Sequence, residues 1–357
     1  MKTAMQIKFA IFLLIGGNLF VYNIAAGQDI HFSQYFASPI LANPSAAGSF
    51  PGDQRAVINY KDQWSSIASP YTTYAMAFDM KVFKQKLTKG ALGLGLVAFS
   101  DKAGDTEMGT TQANLMLSYH AKLNDKSALS AGIQGGFAQR TINGSSLKWG
   151  NQDDGISGYD PALSSGETTE LGNYSYGDFS GGIMWKYSSN QKTMTSNDGV
   201  KANLGVALFH INQPQGVFYK AEEEKLYQKI IVHGRASIGM KNTVLAFQPG
   251  IFYQHQGPSD ELLLGTMIRY RVSEESKYTG FRKESAFSAG GFFRVNDAFV
   301  PVIQFEYANY SLGFSYDINV SDLSAASNGK GGMEIYFRYI TPNPFRYGKG
   351  TSYTPML

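Results

Sequence analysis

The sequence predicts an all-β protein, a transmembrane antiparallel β-barrel of about fourteen strands preceded by a separate N-terminal segment. Three observations carry this. From Arg55 onward the chain repeats a unit of about ten residues of alternating character followed by polar turn residues. Aromatic residues make up 14% of its 357 residues and glycines number 39, yet the mean hydropathy is slightly polar. Beyond the leader, no stretch is continuously apolar over the roughly 18 residues a membrane helix needs. A strand with one lipid face and one polar lumen face explains all three. A soluble sandwich or lipocalin-like barrel would have to leave a second apolar surface in water.

The first 27 residues read as a signal peptide. Lys2 and Lys8 precede an apolar run from Phe9 to Leu19, and Ala25-Ala26-Gly27 places small residues before Gln28. A single anchoring helix would need about 20 clean apolar residues, whereas Gly16, Gly17, Asn18 and Asn23 interrupt this run. Cleavage would take the charges of Lys2 and Lys8 off the formal +3, leaving +1. With 17% charged residues and no basic stripe, nucleic acid is not an expected partner. There are no cysteines, although an exported chain could form disulfides, so a closed backbone ladder has to supply the cohesion.

In residues 28–53, Pro39, Asn43, Pro44 and Gly48 rule out a long helix or an inner strand. His31, Phe32, Tyr35 and Phe36 would be costly to leave in water as a group. The segment is therefore expected to pack on or into the periplasmic mouth of the barrel rather than hang as a disordered tether.

The barrel is assigned to residues 54–340, with a tail at 341–357. Candidate strands are 54–62, 71–82, 91–100, 110–121, 127–139, 176–187, 200–211, 229–240, 243–254, 261–271, 285–295, 298–308, 311–319 and 332–340. Early examples set Leu92, Leu94 and Leu96 against Gly93 and Gly95, and Ala113, Leu115, Leu117 and Tyr119 against Asn114, Ser118 and His120. In the last strand Met333, Ile335, Phe337 and Tyr339 alternate with Glu334, Tyr336 and Arg338. Glycine on the lumen face leaves room for neighbouring side chains or for curvature. With both termini periplasmic, the short connections 122–126, 241–242 and 309–310 face the periplasm and the long segments 140–175 and 212–228 face outward. Segments 188–199 and 272–284 are long for periplasmic turns and 296–297 is short for an outer loop, which leaves the strand count open by one.

Asp79, Glu306, Asp317 and Glu334 with Arg235, Arg269, Arg294 and Arg338 are assigned to the lumen, either lining a solvated pore or pairing to close it. The chemistry of an enzyme is weakly supported. His31, His120, His210, His233 and His255 show no ligand spacing, so no metal site is expected among them. His120 beside Ser118 has no third member for a triad. Between Thr141 and Ser175, Trp149, Asp153, Asp154 and Asp160 sit among glycines. That segment reads as a partner-contacting loop, with Ca²⁺ a candidate ligand although its spacing departs from an EF-hand loop. No other cofactor is expected.

Residues 28–39, Gln-Asp-Ile-His-Phe-Ser-Gln-Tyr-Phe-Ala-Ser-Pro, followed by Asn43-Pro44-Ser45-Ala46-Ala47-Gly48, closely resemble the mature N-terminus of the PorP/SprF family of the Bacteroidota type IX secretion system. Tyr60-Lys61-Asp62-Gln63-Trp64 resembles the family's Tyr-Arg-x-Gln-Trp, with lysine where arginine is usual. The stretches Asp101 to Asp105 with Thr111-Gln112, Asn151 to Pro161, and Phe305 to Asp317 resemble later family blocks. The resemblance implies an outer-membrane barrel, not an enzyme, that works with other type IX components. It also implies a role in export and surface attachment of a partner adhesin through that partner's type B C-terminal domain, in gliding or adhesion. His31, Phe32, Ser33, Gln34, Tyr35, Asn43, Pro44, Trp64, Trp149, Asp153, Asp154 and Asp160 are the candidate plug and partner-binding residues. A small-solute channel is the alternative from a different class. Lys61 offers a point charge where an arginine would offer a two-pronged contact.

Overall fold

The computed structural model describes residues 29–341, apart from 65–68, 84–89, 105–106, 144–146, 154, 156–157, 167–172, 190–198, 217–223, 275–282 and 322–323. The signal-peptide assignment, Asp154 and nearly all of the tail 341–357 lie outside the described residues.

Fourteen strands close one antiparallel barrel, β1–β16–β15–β14–β13–β12–β11–β10–β7–β6–β5–β4–β3–β2. In chain order they are β1 Gln54–Gln63, β2 Tyr71–Val82, β3 Gly90–Ala103, β4 Met108–Lys122, β5 Ser127–Thr141, β6 Tyr174–Ser188 and β7 Val200–Phe209. After a two-residue ladder of β8 Gln215–Gly216 with β9 Glu224–Lys225 come β10 Lys229–Gly239, β11 Leu245–Gln256, β12 Ser259–Ser273 and β13 Ser285–Arg294. The last three are β14 Ala298–Tyr307, β15 Tyr310–Asn319 and β16 Lys330–Ile340. Closure runs through the pairing of β1 with β16, Arg55 opposite Ile340 and Gln63 opposite Gly332, so no strand edge of the barrel is left open. No helix among the described residues is long and apolar enough to cross a membrane.

The strand count of fourteen holds, and the uneven connections therefore belong to the true topology. Most ends move by one to three residues. The expected strand 200–211 stops at Phe209 because His210 takes a left-handed backbone, φ 56°, which swings its side chain out of the ladder. The β8–β9 ladder lies within the long outward-facing segment 212–228.

Alternation fixes the two faces. Leu94, Leu96, Leu115, Leu117, Ile303, Phe305, Leu312 and Phe337 are exposed to the outside, while Asn114, Ser118, Gln304, Glu306, Ser315 and Glu334 are buried inside. In water such an apolar outer band would be unstable. In a bilayer it is the lipid contact, and the internally satisfied ladder is what hydrocarbon demands.

The lumen is filled by the chain's own N-terminus. Residues Phe32 to Ser38, Ile40 and Ala42 to Phe50 are buried, although most carry no regular structure beyond one helical turn, Pro39–Ala42, and a 3₁₀ turn, Pro44–Ala46. Prolines open both turns, where a missing N–H costs nothing. The sequence placed this segment on or into the periplasmic mouth. It instead threads the barrel lengthwise: Gly48, Ser49 and Phe50 meet Asp79, Lys186 and Lys81 at the end where β1 starts, whereas Asp29 meets His210 and Gln256 at the opposite end. The first is the near end of the barrel and the second its far end. Lumen-facing glycines admit the segment: a Cβ on Gly93 would meet the Ala47 carbonyl, on Gly132 the Ser45 backbone, and on Gly182 the Asn43 amide.

Candidate functional site

The site is the contact between this plug and the barrel wall. Midway down, Tyr35 and Phe36 pack against Phe252 and Phe292, with ring centroids 5.1 Å apart for Tyr35–Phe252 and 5.9 Å for the stacked Phe36–Phe292 pair. The Tyr35 hydroxyl donates to the Gly234 carbonyl at 3.0 Å, and burial pushes its pKa up, keeping it a donor. Arg235 lies 4.0 Å over the Phe36 ring and donates to Gln248 at 2.8 Å. The guanidinium thus meets a ring face and an amide instead of a carboxylate, and its Nε is buried without a hydrogen-bond partner.

Asn43 ties the next turn. Its Oδ1 accepts from the Ser45 amide at 2.9 Å, capping the 3₁₀ turn, while its Nδ2 donates to the Ile183 carbonyl at 3.0 Å. Pro44 is buried beside it. Toward the near end, the Gly48 amide donates to Asp79 at 2.7 Å, and Arg55 binds both oxygens of that carboxylate at 2.8 Å. This buried pair is bidentate, the geometry that best offsets desolvation.

Toward the far end the polar ties multiply. Glu334 accepts from the backbone amides of Ser33 at 2.8 Å and Gln34 at 2.9 Å, so a carboxylate caps two plug donors that would otherwise be orphaned. Lys61 donates to the His31 carbonyl at 2.9 Å, a point contact that lysine can make as well as arginine. Arg294 pairs with Asp317 at 3.0 Å and donates to Ser33 Oγ. His31 lies 3.7 Å from Glu261, but burial, with Lys61 and Arg294 adding repulsion, holds its pKa well below the usual histidine value. That contact is therefore one of a neutral imidazole. Phe32 is buried alongside.

Asp29 completes the series. It lies 2.5 Å from His210 Nε2, whose Nδ1 lies 2.9 Å from Asp178, and 3.4 Å from Lys229. Burial works against charge on His210, but the Asp29 and Asp178 carboxylates outweigh it and push its pKa up to about 9. Burial likewise opposes charge on Asp29, yet Lys229 and His210 hold it below the usual carboxylate range. The cluster is a charged clasp at neutral pH.

All eight sequence-assigned lumen charges are buried, none more than 6% exposed. Arg269 bridges Glu306 at 2.7 Å and Glu284 at 2.9 Å, and Arg338 approaches Glu306 at 3.9 Å. The segment and lumen sets named from sequence thus meet at one interface, at Arg235, Arg294, Asp317, Glu334 and Asp79. Arg55, Asp178 and Lys229 were missed. Arg55 and Asp178 sit at inward register of strands whose sequences are otherwise unremarkable, and nothing local marks their side-chain partners, which are 24 to 66 positions away in the chain.

The loop residues do something different. Gln152 ties Trp149 to Leu163: its Oε1 accepts from the Trp149 amide at 3.2 Å and its Nε2 donates to the Leu163 carbonyl at 3.1 Å. Asp153 and Asp160 accept from the amides of Gly155 and Ala162, both at 2.8 Å. Trp149, Asp153 and Asp160 thus build the loop's own fold. Among the described residues no group of three potential ligands clusters to hold a metal. Trp64, at the far end of β1, packs edge-on against Tyr71 at 4.9 Å. His120 lies 3.1 Å from Ser118 and 2.6 Å from Ser130, and the Ser118 hydroxyl donates to the Ala47 carbonyl at 2.7 Å. The pair is engaged with the plug.

A family model for the type IX secretion system membrane protein PorP/SprF matches residues 24–339. The chain belongs to the PorP/SprF family. It is an outer-membrane barrel of that secretion system's membrane-protein family. A comparison with curated proteins returns no match. Among solved structures the barrel is similar to the CymD monoaromatic hydrocarbon channel, at 14% identity over 90% of this chain and 95% of that one with a TM-score of 0.42. It is similar also to the Pseudomonas putida toluene transporter TodX, at 9% identity over 88% and 98% with a TM-score of 0.44, and to the β domain of the Bordetella autotransporter BrkA, at 11% over 81% and 98% with a TM-score of 0.38. These likenesses carry no functional argument.

Proposed function

We propose that this PorP/SprF-family barrel is a non-enzymatic anchoring component, which exports and holds a secreted adhesin at the cell surface through that adhesin's C-terminal domain. The observation that carries the reading is the filled lumen. A diffusion channel needs an open path, whereas here 29–53 occupies the interior on buried bonds at every level, which suits a fixed platform. Both termini of the barrel are placed in the periplasm in this reading, so the far end, with the connections 142–173 and 210–228, faces outward. Tyr159, Leu163, Ile211 and Tyr227 are exposed there, the kind of apolar and aromatic surface that partner contacts use. Neither Ca²⁺ nor another cofactor is part of the proposed role.

The test is to replace residues 147–166 by a short glycine-serine linker. The barrel is expected to assemble normally, read as heat-modifiable gel mobility, and the adhesin to appear in the medium. Adhesin retained fully on the cells would overturn the loop's part in attachment.

A further inference from the structure

The side-chain amide of Asn43, buried inside the barrel, can point in a single sense. Its Oδ1 accepts from the Ser45 amide at 2.9 Å and from the Ser45 hydroxyl at 2.6 Å, while its Nδ2 faces the carbonyls of Ile183 at 3.0 Å and Val206 at 3.3 Å. Turning the amide over would set its oxygen against two carbonyl oxygens. The next neighbour of Nδ2 is Nε2 of His233, 3.2 Å away. An amide nitrogen donates and does not accept, so this Nε2 has to be the accepting atom and the imidazole neutral, with its proton on Nδ1. Gly205 on β7 permits the meeting, since a Cβ there would strike both Nε2 and the Asn43 Nδ2.

The surroundings of His233, itself 4% exposed, offer nothing to hold a second proton. Directly opposite it stand Gly205 on β7 and Phe252 on β11, and Met184 of β6 and Asn203 of β7 line the same small cavity. The titratable groups there are Arg235, two residues along β10, and Tyr35 of the plug. Farther along β6 lies Lys186, which donates to the Ser49 hydroxyl. Two of these are cations and none is a carboxylate.

We propose that His233 is an acid-sensitive latch for the plug, holding Asn43 while neutral and releasing that turn when it takes up a proton. Protonation replaces the lone pair of Nε2 by an N–H, so two donors would meet at a buried contact beside the Arg235 guanidinium. With the plug withdrawn the ring is wetted and titrates near the ordinary histidine value of about 6.5. The docked turn excludes that proton. Docking is therefore at full strength above about pH 6.5 and weakens roughly tenfold for each pH unit below it, a fall on the order of 20-fold from pH 7 to pH 5.

The test measures hydrogen-exchange protection factors of residues 40–48 in the full chain in lipid nanodiscs, from pH 7 to pH 5. Wild type should lose about 20-fold. His233→Gln, whose side-chain carbonyl can accept from Asn43 at every pH, should keep its protection, with heat-modifiable mobility as the check on assembly. The acid-sensitive ties of the plug to Asp79 and Glu334 are the same in both proteins, so equal falls in the two, or no fall in wild type, overturn the latch. Should the variant fail to assemble, imidazole ¹⁵N spectra of the wild type decide. The His233 ring is expected to carry its proton on Nδ1 at pH 7 and to gain one on Nε2 together with the loss of protection. An Nε2 already protonated at pH 7, or a loss of protection that precedes its protonation, overturns the latch.

Discussion

Phe36→Ala should open the barrel without dismantling it. The ring is 3% exposed, stacked on Phe292 at 5.9 Å, edge-on to Tyr35 at 5.7 Å and covered by Arg235 at 4.0 Å. Truncating a buried phenylalanine costs about 3–5 kcal/mol, and the lost cation–π contact adds on the order of 1 kcal/mol. Of the ties that hold the plug, few are worth so much, because a net hydrogen bond contributes only about 1 kcal/mol. The fourteen-strand ladder contains no plug residue, so assembly should be untouched. In planar bilayers the wild type should be closed, Phe36→Ala should show frequent open events, and Phe36→Leu, which keeps most of the buried volume, should remain near the wild type. Wild-type-like closure by Phe36→Ala would refute the view that this aromatic cluster holds the plug.

Three further outcomes follow from the same geometry. Ile335→Arg puts a charge on the lipid face of β16 at about 2–4 kcal/mol near the midplane and should impair assembly. Glu334→Gln should assemble normally yet loosen the plug, since an amide presents one acceptor to the Ser33 and Gln34 donors; equal assembly defects in the two would contradict the assigned faces. The His210 clasp carries a definite pH sign. A histidine whose folded pKa is raised to about 9 adds stability in full below its unfolded value of about 6.5, and that stability is lost as pH rises through 9. The protection factor of residues 29–36, which removes the base-catalysed rise of exchange with pH, should therefore fall from pH 7 to 10, and a His210→Gln variant should show that loss already at pH 7; an unchanged protection factor in the variant would remove the clasp from the account. For orientation, a cysteine at Ser165 should react with an impermeant maleimide on whole cells and one at Asn124 should not, and the reverse pattern would invert the topology.

The barrel was legible because a two-residue period is a local signal: Leu312, Phe314 and Tyr316 against Gly313, Ser315 and Asp317 determine a face without reference to any other strand. Ends were less legible, since where a strand stops depends on backbone such as the left-handed His210, which no composition marks. The N-terminal block announced a need for burial through Phe32, Tyr35 and Phe36. Its path did not follow, because threading the full lumen depends on glycines at Gly93, Gly132 and Gly182 and on carboxylates at Asp79, Asp178 and Glu334, spread over more than 250 residues of sequence. Those glycines were readable only as room for something. The charges assigned to the lumen from the alternation are all buried, but which of them pair is a three-dimensional property. Asp153 and Asp160, read from sequence as part of a partner-contacting loop, accept from amides of that same loop, a local tie that residue type alone does not reveal.

The claim on which the rest depends is that residues 29–53 lie inside the barrel, and an engineered disulfide tests it most directly. A Cβ placed on Gly95 would stand 3.2 Å from the Ala47 Cβ, a few tenths of an ångström short of the roughly 3.5–4.5 Å that a disulfide spans. In a chain without cysteines, Ala47→Cys combined with Gly95→Cys should oxidise to a single intramolecular bond in intact outer membranes, giving a reductant-sensitive shift in gel mobility and near-complete protection from alkylation. Two thiols that stay freely alkylatable after oxidation, in a barrel that is otherwise assembled, would contradict it.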